Sequence, residues 1–218
     1  MYFLNRQALG DQLANRLDTF RNNDSIIMCL DKNALSACIE MASILHAWIF
    51  VIYFEPLSDP YARGRTLGAL IETGNFVLNP AIGGTEYEYI YSEFSSQIEE
   101  MKRAAISRLN RSKVVNSIDR RAINGRNVLL TDDIFRDEMG LAIAKALLKP
   151  LSPAHIEGAA GNIMTEMSTK LYVETQGATY IDVLPADIFD DDHYFDEPDR
   201  LTEEQRLYMA QNISSYWV

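Results

Sequence analysis

Between Arg126 and Leu148 an apolar run, Val128 to Leu130, leads into two adjacent acids, Asp132 and Asp133, and a short turn then opens a helical pattern from Gly140 to Leu148. In an open α/β sheet, ligands bind outside the carboxyl ends of the strands. A strand delivering two carboxylates at that end marks where a site is expected. Such a pair can accept hydrogen bonds from a sugar diol or help hold a divalent cation.

The rest of the chain fits the same kind of sheet. Leu9, Leu13, Leu17 and Phe20 recur at helical spacing, which predicts an amphipathic helix from Asn5 to Phe20. Ser25–Leu30 and Trp48–Phe54 read as buried strands with a helix, Ala34–Leu45, between them. Glu55–Arg65 contains Pro56 and Pro60 and is expected to be a loop. Thr66–Ile71 and Asn75–Leu78 flank Glu72-Thr73-Gly74 as a hairpin. Ile90, Phe94, Ile98, Met101, Ala105 and Leu109 give Tyr87–Asn110 one buried stripe, hence a long helix. Asn127–Thr131, Ile156–Ile163 and Tyr180–Leu184 are strands that alternate with helices at Gly140–Leu148 and Thr165–Thr175. Thr202 caps a last helix running to Ile213. Strands alternating with helices imply an α/β fold, a doubly wound, mainly parallel sheet flanked by helices, with the long helix and a small hairpin as an appendage.

The 218 residues suit one domain, 1–218, with an insertion at 66–126 and an acidic C-terminal segment at 185–218. No apolar run is long enough to span a bilayer and no signal-peptide pattern opens the chain, so a cytoplasmic protein is expected. A net charge of −11 argues against direct nucleic-acid binding, which needs a cationic face. That charge is segregated. Residues 102–126 hold eight Lys or Arg against Asp119 alone, and residues 182–204 hold ten acids against Arg200 alone. These read either as two solvated faces or as partners in a contact. Cys29 and Cys38 read as two small core residues, and no Cys/His cluster has zinc spacing. His46, His155 and His193 stand singly. His193, beside Tyr194 and Phe195, is the best placed of them to stack on a base.

The stretch from Val128 through Asp132, Asp133, Arg136, Asp137, Glu138, Met139 and Gly140 resembles the ribose-phosphate loop of type I phosphoribosyltransferases. In that family a hydrophobic strand enters two acids and then a small-residue turn. The resemblance runs along nearly the whole chain, toward a small group of bacterial predicted phosphoribosyltransferases. Phe3, Asn5, Arg6, Ala8, Leu13, Ala14 and Leu17 are similar to its first helix. Met28-Cys29-Leu30, Asp31-Lys32-Asn33-Ala34 and Glu40-Met41-Ala42 stand where it has a strand, an Arg-Gly-Gly turn and a helix. Leu67-Gly68-Ala69-Leu70 with Phe76-Val77-Leu78-Asn79 resembles its hairpin, and Phe189 with His193-Tyr194-Phe195 its last aromatic segment.

The resemblance implies roles as well as a fold. Asp132 and Asp133 would hold ribose hydroxyls. Thr131, Arg136, Asp137, Glu138 and Gly140 would line the 5′-phosphate turn. Lys32, Asn33 and Ala34 would form the pyrophosphate turn, with Lys32 stabilising the departing charge. Mg²⁺ would bridge ribose and pyrophosphate oxygens in an active enzyme, and no residue is a dedicated metal ligand. The partners implied are a phosphoribosyl or nucleotide ligand and, for the family, a second copy in a homodimer.

Both phosphate turns depart from the family pattern. The glycines after Lys32 are replaced by Asn33, which tolerates positive φ, and by Ala34, which does so at a cost. Asp137 and Glu138 put carboxylates where a phosphate would sit, with Arg136 able to offset them in part. At about 4 Å and an effective dielectric near 20, each like-charge pair costs roughly 4 kcal/mol. The leading expectation is therefore a catalytically degenerate relative that binds or regulates. An active Mg²⁺-dependent phosphoribosyltransferase is the second, and an interaction module using the basic and acidic segments is the third.

Overall fold

In the computed structural model the described residues are 2–111, 119–185, 191–197, 199 and 201–213. In chain order they form α1 (Arg6–Arg16), β1 (Ser25–Cys29), α2 (Leu35–Leu45), β2 (Trp48–Val51), β3 (Phe54–Ser58), β4 (Thr66–Ile71) and β5 (Phe76–Leu78). There follow α3 (Gly84–Arg111), β6 (Asn127–Phe135), α4 (Met139–Leu148), β7 (His155–Met164), α5 (Thr165–Glu174), β8 (Gly177–Leu184) and α6 (Glu203–Asn212). The chain divides into two compact units, one of residues 1–51, 115–137 and 148–218, the other of residues 52–114 and 138–147.

The first unit is built on a five-stranded sheet in the order β2-β1-β6-β7-β8, and every neighbouring pair is parallel. From β1 the chain crosses to β2 on one side and later returns at β6 on the other. The order therefore reverses between β1 and β6, and this switch point is where an open sheet binds ligands. The central strands read as continuous apolar runs because both of their faces are covered, and β1 is buried along its whole length. Helix α1 starts at Asn5, whose side chain accepts from the Ala8 amide at 2.9 Å. It packs closely on α2: a Cβ at Gly10 would come within 2.5 Å of the Ala37 carbonyl oxygen, so only glycine permits that approach.

The second unit holds an antiparallel sheet in the order β3-β4-β5. Helix α3 buries Ile90, Ile98 and Ala105. Two apolar clusters form there, one around Leu67, Ile82, Ile90 and Ile98, the other around Leu57, Leu70 and Ala105. The helix is kinked at Phe94, whose φ of −122° and ψ of 20° leave the helical region.

The doubly wound, mainly parallel sheet with a long helix and a small hairpin sheet is as the sequence implies. Several boundaries differ: the first helix ends at Arg16 instead of Phe20, and the strand expected over Trp48–Phe54 ends at Val51, with Phe54 opening β3 of the antiparallel sheet. The stretch from Glu55, expected as loop, begins within strand β3, where Pro56 lies opposite Ala69 on the sheet edge. An edge strand tolerates a residue without an N–H, so proline does not exclude it. Only the following residues form the loop, which Asp59 staples by accepting from the Tyr61 amide at 2.8 Å and from Arg65 Nε at 2.7 Å. Strand β6 runs on to Phe135 instead of ending at Thr131, and β8 begins at Gly177. Phe189 and Lys113 lie outside the described residues, as do other parts of the acidic and basic segments.

Candidate functional site

The extension of β6 decides what its two acids can do. Successive side chains of a strand point to opposite faces, so Asp132 and Asp133 cannot converge on one diol while both lie within the ladder. Asp132 is half-buried and one of its oxygens accepts from the Asp133 amide at 2.8 Å. Asp133 is 4% exposed. Its Oδ2 accepts from Arg6 Nε at 2.5 Å.

Arg6 opens α1 and is itself buried. Its Nη1 donates to Asp192 at 2.8 Å and stands 3.9 Å from Asp199, which in turn pairs with Arg206 of α6 at 2.6 Å. The Phe195 ring lies 4.4 Å from the Arg6 guanidinium carbon, a cation–π contact. Backbone bonds fasten the same region: Phe3 N donates to the Tyr194 carbonyl at 2.8 Å and Asp196 N to the Phe3 carbonyl at 2.9 Å. Burial works against the Arg6 charge, but the Asp133 charge and hydrogen bond, helped by Asp192 and Asp199, leave its pKa above the usual value. Burial pushes the Asp133 carboxyl up to about 6, with Arg6 pulling it back down. Asp133 thus joins α1, β6 and the C-terminal segment.

The turn after β1 is closed on itself. Asp31 Oδ1 accepts from the Asn33 amide at 2.7 Å. The Ala34 amide donates to the Asp31 carbonyl at 3.1 Å, and the Leu35 amide to the Lys32 carbonyl at 3.3 Å. Neither Asn33 nor Ala34 takes a positive φ, and Ala34 lies at φ −71°. A phosphate-binding turn works through backbone N–H groups turned outward. Here three successive amides are engaged within the turn, and a carboxylate occupies the first of them. Lys32 is exposed and its Nζ lies 3.3 Å from Glu203 of α6.

Beyond β6, Arg136 is half-buried and Asp137 is exposed. The Glu138 carbonyl accepts from the Ala142 amide at 2.8 Å and so begins α4. Glu138 and Gly140 belong to the second unit, whereas Thr131 through Asp137 belong to the first. Thr131 is fully buried and its hydroxyl donates to the Leu129 carbonyl at 3.2 Å. Cys29 and Cys38 are buried free thiols. Burial raises both pKa values, so neither is a ready nucleophile. His193 is exposed, bonds Tyr2 at 2.7 Å and packs edge-on to Tyr2 and Tyr194.

Arg6 and its partners Asp192, Asp199 and Arg206 are the residues that sequence reasoning missed. A signal existed for Arg6, which falls on the buried stripe of α1 with Leu9, Gly10, Leu13 and Ala14. A charge on such a stripe needs a buried partner. Among the described residues of the basic segment, Lys102 pairs with Glu99, Arg108 with Glu55 and Arg126 with Asp24.

Among the described residues no group of three or more His, Cys, Asp or Glu is arranged to hold a metal ion, and no helix is long and apolar enough to cross a membrane. No protein-family model matches the chain. No curated protein matches it. Among solved structures, it is similar to TT1426 from Thermus thermophilus, at 20% identity over 97% of this chain and 99% of that one, with a TM-score of 0.71. A purine phosphoribosyltransferase from Pyrococcus horikoshii aligns at 13% identity over 85% of this chain and 91% of its own, with a TM-score of 0.44. A hypothetical protein from Neisseria gonorrhoeae with bound ppGpp aligns at 10% identity over 97% of both chains, also at 0.44. The likeness to TT1426 is a likeness of fold alone.

Proposed function

We propose that this chain is a non-catalytic, ligand-binding protein on a phosphoribosyltransferase-like fold. It takes a ribose-bearing ligand of the nucleotide type through Asp132 at the β1/β6 switch point and acts as a regulatory protein in the cytoplasm. The observation that carries this reading is Asp31, whose carboxylate accepts from the Asn33 amide at 2.7 Å. An anion brought to that turn meets a like charge where the Asn33, Ala34 and Leu35 amides are already engaged.

A transferase needs this turn to hold pyrophosphate, and the Mg²⁺ of such a reaction is bound largely through the substrate's own phosphate oxygens. The residues present do not fit that group, because the amides are engaged and Asp133 is committed to Arg6. Asp132 is half-buried, with a carboxylate suited to a diol.

The test is release of pyrophosphate from phosphoribosyl pyrophosphate with Mg²⁺ and each common purine and pyrimidine base. The reading predicts no release above the protein-free control. Release with any one base, abolished in Asp132→Asn, would establish the active transferase instead.

A further inference from the structure

Asn162 lies near the carboxyl end of β7, is 1% exposed, and among the described residues has no hydrogen-bond partner for either its Oδ1 or its Nδ2. A buried carboxamide with donor and acceptor both unmet is destabilising to the fold that holds it. Such a group calls for a function beyond packing.

The register shows which face it is on. Ile134 of β6 pairs with Asn162 and Asp132 pairs with Ala160, so Asp132, Ile134, Ala160 and Asn162 share one face of the sheet. This is the face that carries α5, because a Cβ at Gly158 would press into Leu171. The opposite face carries α1: a Cβ at Gly161 would meet Leu9, and Asp133 there bonds Arg6. Asp132 and Asn162 are therefore diagonal neighbours on one surface, on the order of 7 Å apart, with only the small Ala160 in the intervening place. Beside Asn162, Ile134 packs with Leu184, Tyr194 and the half-buried Met164, an apolar cluster.

We infer that Asn162 is a ligand-reading residue and that the ligand is an unphosphorylated nucleoside. This rests on the reading of the chain as a ribose-binding protein and narrows it. Asp132 accepts from the ribose hydroxyls. Asn162 offers one donor and one acceptor to the edge of the base, and the apolar cluster flanks the ring. The ester end is what the protein does not accommodate, since the Asp31 carboxylate closes the first turn. A carboxamide facing a base edge and a carboxylate facing a diol require no cation on the protein and reward no charge on the ligand.

Calorimetry with adenosine, guanosine, inosine, cytidine and uridine, and with the 5′-monophosphate of each, tests this on wild type and on Asn162→Leu. We expect at least one nucleoside to bind, its monophosphate to bind at least tenfold more weakly, and Asn162→Leu to lose at least tenfold of the nucleoside affinity. The melting temperature of that variant should not fall, because leucine fills a similar space with nothing left unpaired. If the variant does not fold, the Asn162 side-chain amide resonances of wild type, which should shift on nucleoside addition, give the same answer. Unchanged affinity in Asn162→Leu, or unmoved resonances, overturns the role of Asn162. Monophosphates bound more tightly than nucleosides overturn the ligand class and leave the ribose-binding reading standing. Binding of none of the ten overturns both.

Discussion

Asp132 and Asp133 are neighbours in sequence and face opposite sides of one sheet, with opposite consequences. On the α1 side Asp133 is buried against Arg6, and through Arg6 it reaches Asp192, Asp199 and Arg206. On the α5 side Asp132 stays half-buried, on the surface it shares with Asn162. One carboxylate fastens the two ends of the chain over the sheet. The other stays half-buried on the opposite face. An acid pair at a strand end is a shared site only where the strand stops before it. Here the ladder runs three residues past Asp132, to Phe135, and the alternation of the strand separates the pair.

If that division is right, the largest effect comes from Arg6. In Arg6→Met the carboxylate of Asp133 loses its buried partner, and the unfolding free energy at neutral pH should drop by about 3–5 kcal/mol in urea titrations. A drop below about 1 kcal/mol would mean that the cluster is hydrated and does not fasten the termini.

The next effect is a pH dependence. Burial raises the Asp133 carboxyl from its ordinary 3.8 to about 6 in the folded state. A group whose folded pKa is raised contributes stability that is fully present below the unfolded value and is lost as pH rises through the folded one. Wild-type stability should therefore decline between about pH 4 and pH 6 by an amount on the order of 3 kcal/mol. Comparing Asp133→Asn with wild type across that window isolates the contribution, and an equal slope in both proteins would assign it to other groups.

Asp132→Asn should behave in the reverse way. Its stability should stay within about 1 kcal/mol of wild type, while affinity for a ribose-bearing ligand falls about tenfold, or roughly 1.4 kcal/mol. A large loss of stability with binding intact would erase the distinction between the two faces. The smallest effect is expected at Lys32, whose pair with Glu203 is exposed at both ends. Lys32→Gln should change stability by no more than about 0.5 kcal/mol in thermal melts, and a larger change would make that pair part of the fastening on the α1 side.

Much of the fold was legible because it rests on periodicity. The long helix, the hairpin, the alternating strands and the Thr202 cap all announce themselves through spacing and capping chemistry, and the capping box of Thr202 with Gln205 is present. What was hidden depends on partners distant in sequence. Pro56 argues against a strand unless that strand lies at an edge, and edge position is a property of the assembled sheet. The length of β6 depends on continued pairing with β7 through Ile134 and Phe135. Arg6 looked like one more charge on an amphipathic helix until Asp133, 127 residues away, was placed against it. In the sequence, the departure of the turn after β1 shows as missing glycines. The structure puts it in the carboxylate that closes the turn.

Calorimetry with phosphoribosyl pyrophosphate, with and without Mg²⁺, asks whether the turn after β1 receives an anion. With Asp31 holding the Asn33 amide, no measurable heat of binding is expected in either condition at millimolar ligand. Saturable binding in the micromolar range that requires Mg²⁺ would contradict it, because Asp31 would then have to leave the Asn33 amide and the turn would have to open.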